Sequence, residues 1–226
     1  MRYYRKKSFL SRLTSVFIDN KEIAITCLVI IFCLLLSIIF PVNNSVQLLT
    51  RNIFFLIIVP ILYYKLILGK RFSDLGLILG DKRAGIFWGI ILFFVSLLIF
   101  YLLYTYTDFK KNYLLSSYVV HNFWLFLLYE LLLANLFVFI QEFFWRGFIL
   151  LYFSKKISYF SIFLQFILFT LMLIPAKNTF WQMAPTLVIS LFSGIIVYKS
   201  RSILYSWIFA LFSLVILDSF IIYHLK

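Results

Sequence analysis

Cysteine and histidine are nearly absent from this chain, glycine is sparse, and each shortage excludes a class of protein. The two cysteines, Cys27 and Cys33, lie six positions apart in one apolar run, with no Cys or His cluster elsewhere. A metal site is therefore not expected, and the pair reads as reduced packing residues. With 7 glycines there is no glycine-rich phosphate loop, and there is neither a serine nucleophile in a small-residue setting nor an internal repeat. The soluble enzyme classes drop out, and no cofactor is expected. Segments of alternating apolar and polar residues are missing too, which excludes a β-barrel.

What the chain has is apolar length. Hydrophobic residues make up 64% of it and its mean hydropathy is +1.04, values that no soluble domain sustains. Apolar runs of about 17 to 22 residues recur, the length that crosses a hydrocarbon core of about 30 Å as helix. They predict an all-α, polytopic transmembrane bundle of about seven spans, near 22–40, 52–69, 85–106, 122–145, 158–175, 181–198 and 203–223. The longest polar connection is about a dozen residues near 107–122, so residues 22–226 read as one transmembrane domain behind a basic N-terminal segment, 1–21. Pro60 and Pro185 fall inside spans, where each removes a backbone hydrogen bond and a kink is expected.

Charge sets the orientation. Most of the 21 Lys and Arg gather on one side: Arg2, Arg5, Lys6, Lys7, Arg12 and Lys21, then Lys65, Lys70, Arg71, Lys82 and Arg83, then Arg146, Lys155, Lys156, Lys199 and Arg201. The other side keeps Arg51, Lys110, Lys111, Lys177 and Lys226. By the positive-inside rule the N-terminus is cytoplasmic, and an odd number of spans places the C-terminus outside. Basic loops against anionic headgroups account for the net charge of +13, so membrane lipids are expected partners and nucleic acid is not. Segment 1–21 is too basic and too long for a signal peptide, and no small-residue cleavage site follows the first run. It is expected to lie on the cytoplasmic surface. Trp88 and Trp145 near inner span ends, and Trp124 and Trp181 near outer ends, read as interfacial anchors. The richness in Phe, Ile, Leu, Lys and Tyr is that of an AT-rich bacterial genome, which makes a bacterial plasma membrane the expected location.

Polar groups within the spans are few. Glu130 precedes Gln141 by eleven residues, about three turns, so the two are expected on one face of span four. Glu130 either lines a polar face there or bonds a neighbouring helix, and Asp218 on span seven is a possible partner at similar depth. Asn135, Gln165, Ser193 and Ser213 are single polar groups of the kind that join membrane helices.

The densest polar cluster is Gln141-Glu142-Phe143-Phe144-Trp145-Arg146-Gly147. Glu142 and Arg146 are four residues apart on a helix and are expected to pair across one turn. Gln-Glu-x-x-x-Arg-Gly resembles the Glu-Glu-x-x-x-Arg-Gly signature of the CAAX-protease and bacteriocin-processing (CPBP, or Abi) intramembrane endopeptidases. Phe169 through Pro175 stands where that family has Phe-x-x-x-His running into a proline. Ser193-Gly194 falls in the helix after it, and Ala210 through Leu214 lies where the last helix carries His-x-x-x-Asn. Phe72-Ser73-Asp74-Leu75-Gly76-Leu77 echoes a short inter-helix segment of the same family. The resemblance covers about residues 125–220.

That resemblance implies glutamate-dependent hydrolysis of a peptide bond within the membrane, with histidines helping to activate water and a His and an Asn holding the oxyanion. Here Gln141 replaces the first Glu, Leu173 stands at the second motif's His, Ala210 or Leu211 at the last helix's His, and Leu214 or Val215 at its Asn. Glu142 and Arg146 alone remain, a motif remnant without its base. His121 and His224 fall on the outer side by topology and are not stand-ins. A positioned acid or base contributes about 10² to 10⁴ in rate and oxyanion donors about 10² to 10³ more, so their joint loss predicts an inactive member. The expected function is to bind and stabilise or regulate another membrane protein, a cell-envelope enzyme, transporter or bacteriocin-related partner. The alternative is an active peptidase of the CAAX type with Glu142 as base. A transporter or channel using Glu130 and Asp218 is disfavoured because no repeated half is visible.

Overall fold

A computed structural model describes residues 9–109, 122–174 and 180–225. The described residues contain no strand, and their helices are α1 (Phe9–Ile39), α2 (Ser45–Ile67), α3 (Lys82–Tyr106), α4 (Phe123–Ile157), α5 (Phe160–Leu173), α6 (Phe180–Ser200) and α7 (Ile203–Leu225). Six are long and apolar enough to cross a membrane, and α5, at 14 residues, is shorter. The chain is a multi-pass membrane protein built of helices. Pro175, His121 and residues 1–8 lie outside the described residues.

Short polar side chains start three of these helices. Asn44 accepts from Gln47 N at 2.8 Å and Asp81 from Ala84 N at 3.0 Å. Asn122 accepts from Trp124 N and Leu125 N at 3.0 and 3.2 Å. Each satisfies amides that the first turn leaves without a helical partner. Pro60 and Pro185 both sit inside continuous helices. Around Pro60, α2 changes to i→i+5 bonding at Phe54–Ile58 and again at Tyr63–Ile67, which redistributes the ladder that the proline interrupts.

Helices α3, α6 and α7 pack together, α5 lies on α6 and α4, and α4 closes against α7. Their interior divides in two. One cluster centres on Phe143, Phe144, Phe148 and Ile149 of α4 with Tyr63, Tyr64, Phe169 and Val197. The other joins α3, α6 and α7 through Leu92, Phe100, Ile196, Phe209 and Leu217. Helix α1 rests chiefly on α2, which in turn meets α4.

The predicted basic side of the sequence is one physical end of the bundle. There Lys70 pairs with Glu22, and Lys155 lies 3.4 Å from Asp74. Arg201 donates to Ser154 Oγ at 2.5 Å, and Asp81 N donates to Ser200 O at 2.8 Å. Gly80, at φ 51°, touches the α6–α7 turn so closely that a Cβ would lie 2.1 Å from Ser200 O. The loop before α3 is thereby fixed to that turn.

Two sequence expectations need correction. Span four was expected to end near residue 145, yet α4 continues to Ile157, 35 residues in all. That is about 50 Å of helix, well beyond the hydrocarbon core. Arg146, counted among the loop cations, is therefore inside the helix and 2% exposed, and Trp145, expected as an interfacial anchor, is 3% exposed. The run Phe-Ile-Leu-Leu-Tyr-Phe after Gly147 carries the apolar helix on until Lys155 and Lys156 end it.

Candidate functional site

The heptapeptide lies within α4 where the backbone adopts i→i+5 bonding, Glu142–Leu150, and all nine residues of that stretch are buried. Departures of this kind are frequent at functional sites and shift the direction of side chains along a helix. Glu142 and Arg146 do pair, with Arg146 Nη1 3.4 Å from Glu142 Oε1 and both side chains 2% exposed. The second carboxylate oxygen has a partner the sequence did not identify. Ser206 Oγ of α7 lies 2.5 Å from Glu142 Oε2 and 3.0 Å from Ile203 O. A hydroxyl has one hydrogen to donate, and the shorter distance to an acceptor-only carboxylate directs it to Glu142.

Phe169 is the platform beneath this pair. The Arg146 guanidinium lies over its ring at 5.5 Å, and Trp145 meets it edge-on at 5.4 Å. The phenylalanine of the second motif thus touches the first motif directly. One turn further on, Leu173 packs against the apolar cluster. On α7, Ala210 is 2% exposed in the other cluster, with Leu214 packed against it. No imidazole or amide faces Glu142 from these positions. Gln141 is half-buried.

Gly147 has a packing reason. A Cβ there would stand 2.7 Å from Leu75 O, because the short 3₁₀ turn Phe72–Leu75 docks on α4 at that point. Gly76 follows at φ 78° and its carbonyl accepts from Ile203 N at 3.0 Å. The Phe72–Leu77 segment therefore links the motif glycine to the start of α7, one turn before Ser206.

Helices α4 and α7 run antiparallel along a polar seam. Glu142 meets Ser206 at one end, Asn135 Oδ1 accepts from Trp207 Nε1 at 2.8 Å in between, and Glu130 faces Asp218 at the other end. Glu130 is 1% and Asp218 6% exposed. Between Glu130 and Gln141 the helix passes through the i→i+5 stretch Tyr129–Ala134, which alters the regular eleven-residue phase. The signal for this seam was present on α7: Ser202, Ser206, Ala210 and Ser213 recur at three- and four-residue spacing, the small-residue pattern of a close helix contact. Gln165 is also buried, with Nε2 3.5 Å from Ser190 Oγ. His224 packs on Phe220 at 4.3 Å, about 27 Å along α7 from Ser206.

Residues 122–213 match the family model of the type II CAAX prenyl endopeptidase Rce1-like proteins. Over that segment the chain is similar to Rce1-like proteins. The matched segment starts at the Asn122 cap of α4 and ends at Ser213 in α7, so it contains Glu142, Arg146, Phe169 and Ser206 but not Asp218. It is about two-fifths of the chain and leaves α1, α2 and α3 outside the Rce1-like region. No curated protein and no solved structure matches the chain.

Proposed function

We propose that this Rce1-like protein is catalytically silent and acts by binding and stabilising or regulating another membrane protein in a bacterial plasma membrane. The observation that supports this most is the occupation of Glu142. A general base needs a free lone pair, a water and a proton path. Glu142 already has a partner on each oxygen, Ser206 and Arg146, and its side chain is 2% exposed, which restricts the access of a water for it to activate. Leu173, Ala210 and Leu214 supply no proton acceptor or oxyanion donor beside it. The retained motif then works as a clamp: Glu142 ties α4 to α7, and Arg146 and Trp145 tie α4 to α5 through Phe169. The kept scaffold offers a membrane-embedded surface for a partner such as a cell-envelope enzyme, a transporter or a bacteriocin-related protein.

The second reading, a CAAX-type peptidase with Glu142 as base, is favoured by the match to endopeptidases over the very segment that holds Glu142 and Arg146. Extraction of tagged protein in mild detergent, with mass spectrometry of what copurifies, distinguishes the two. A partner at near-equal amounts is expected. A chain recovered alone that cleaves a membrane peptide, with the cleavage abolished by Glu142→Gln, would establish the second reading instead.

A further inference from the structure

The contact between α1 and α2, outside the Rce1-like segment, is not closed. A groove of about 660 Å³ runs between the two helices, lined by Ile25, Leu28 and Phe32 of α1 and Leu62, Leu66 and Ile67 of α2 among others. These side chains are open to the surroundings, Leu28 at 65%, Leu66 at 72% and Ile67 at 66% exposure. The hydroxyl of Tyr63, a polar atom on this wall, is turned to Thr26 Oγ1 at 2.8 Å. The groove runs from Ile25 to Leu35, ten residues or about 15 Å of helix, which is half the hydrocarbon thickness and so the depth of one leaflet.

The groove has a charged head at one end only. Position 21 precedes 25, 28 and 32 on the same helical face, so Lys21 caps the α1 wall, while Lys65 lies in the last turn of the α2 wall and Lys70 and Arg71 follow it. The Lys65 ammonium lies over the Phe72 ring at 5.4 Å, next to Arg71. Among the described side chains, Glu22 pairs with Lys70 and Asp74 with Lys155. Lys21, Lys65 and Arg71 form no ion pair among the described residues, which leaves an excess of cation directly above an apolar slot.

We propose that this groove is a binding site for an anionic phospholipid, one acyl chain lying between α1 and α2 and the phosphate held by Lys21, Lys65 and Arg71. An acyl chain satisfies a slot with no free polar atom, and a headgroup at the membrane surface meets cations placed one leaflet above its tail. The lipid fills the gap that leaves α1 attached chiefly through α2. The site is independent of whether Glu142 catalyses anything.

Native mass spectrometry of the purified full chain, equilibrated with phosphatidylglycerol and phosphatidylcholine of identical acyl chains, tests it. The native protein is expected to retain phosphatidylglycerol preferentially. Lys21→Gln, Lys65→Gln and Arg71→Gln are each expected to lower that retention about fivefold. Leu66→Trp, which fills the slot, should remove it, and Lys82→Gln with Arg83→Gln, at the same end but away from the groove, should leave it unchanged. A phosphatidylglycerol with a photoreactive acyl chain gives a readout that does not depend on a variant folding, and it is expected to label residues 25–35 and 62–67. Equal retention of the zwitterionic lipid would mean general annular contact. Crosslinks to a protein chain in place of lipid, labels confined to other surfaces, or equal losses from the Lys82 and Arg83 variant would likewise overturn the proposal.

Discussion

The α4–α7 seam and the α1–α2 hairpin are both assemblies of membrane helices, yet they are held by different means. At the seam, polar groups meet across the interface, the buried pairs Glu142 with Ser206 and Glu130 with Asp218 at its ends and the half-buried Asn135 with Trp207 between them. At the hairpin, the polar contacts among the described residues are the Lys70–Glu22 pair at the basic end, part-exposed at 28% and 23%, the Thr26–Tyr63 bond, and Arg51 donating to Phe40 O at 3.3 Å. The remainder is an apolar slot. Within lipid, packing of apolar side chains gives no net gain over packing against acyl chains, so helices are joined firmly where polar groups or close-packed small residues demand a specific partner. The family match covers the Glu142–Ser206 and Asn135–Trp207 contacts of the seam, stops short of Asp218, and leaves the hairpin outside.

Substitutions should separate the two regions by size of effect. Arg146→Ala strikes hardest, because it leaves Glu142 as a buried carboxylate without its cation. A loss of about 3 to 5 kcal/mol is expected, seen as a collapse of folded yield and of the thermal unfolding temperature in detergent. Gly147→Ala comes next, as its Cβ would press on a backbone carbonyl at 2.7 Å that belongs to a turn also bonded to Ile203. A cost of about 3 kcal/mol is expected, with faster protease cutting near Leu75 as the local readout. Ser206→Ala removes one hydrogen bond to Glu142 while keeping the shape, and about 1 to 2 kcal/mol should be lost in the same unfolding assay. Lys70→Ala, in the hairpin, should cost less than about 1 kcal/mol because its ion pair is part-exposed and screened. If Lys70→Ala proved as damaging as Ser206→Ala, the contrast between the regions would be gone.

Much of this architecture was legible in the sequence. The apolar runs placed the helices, and the uneven distribution of Lys and Arg anticipated the cation-rich end where Lys70, Lys155 and Arg201 now meet their partners. Glu142–Arg146 pairing followed from four-residue spacing, and the Phe169 segment was marked by its resemblance. What was missed has a common physical cause. Stretches of i→i+5 bonding at Tyr129–Ala134 and Glu142–Leu150 change helical phase without any mark in composition. The same continuation carried α4 past Gly147, so Trp145 and Arg146 were read as surface residues when they are core. Ser206 escaped notice because the small-residue spacing on α7 marks a close helix contact without saying which of its serines meets Glu142.

Whether Glu142 is a clamp or a base is decided most directly by cleavage. The purified chain and its Glu142→Gln variant would each be incubated in lipid with a library of membrane-embedded peptides, and products read by mass spectrometry. The expected result is no cleavage by either protein, together with a lowered unfolding temperature for Glu142→Gln. Cleavage by the native chain that Glu142→Gln abolishes, at unchanged stability, would contradict the structural role assigned to Glu142.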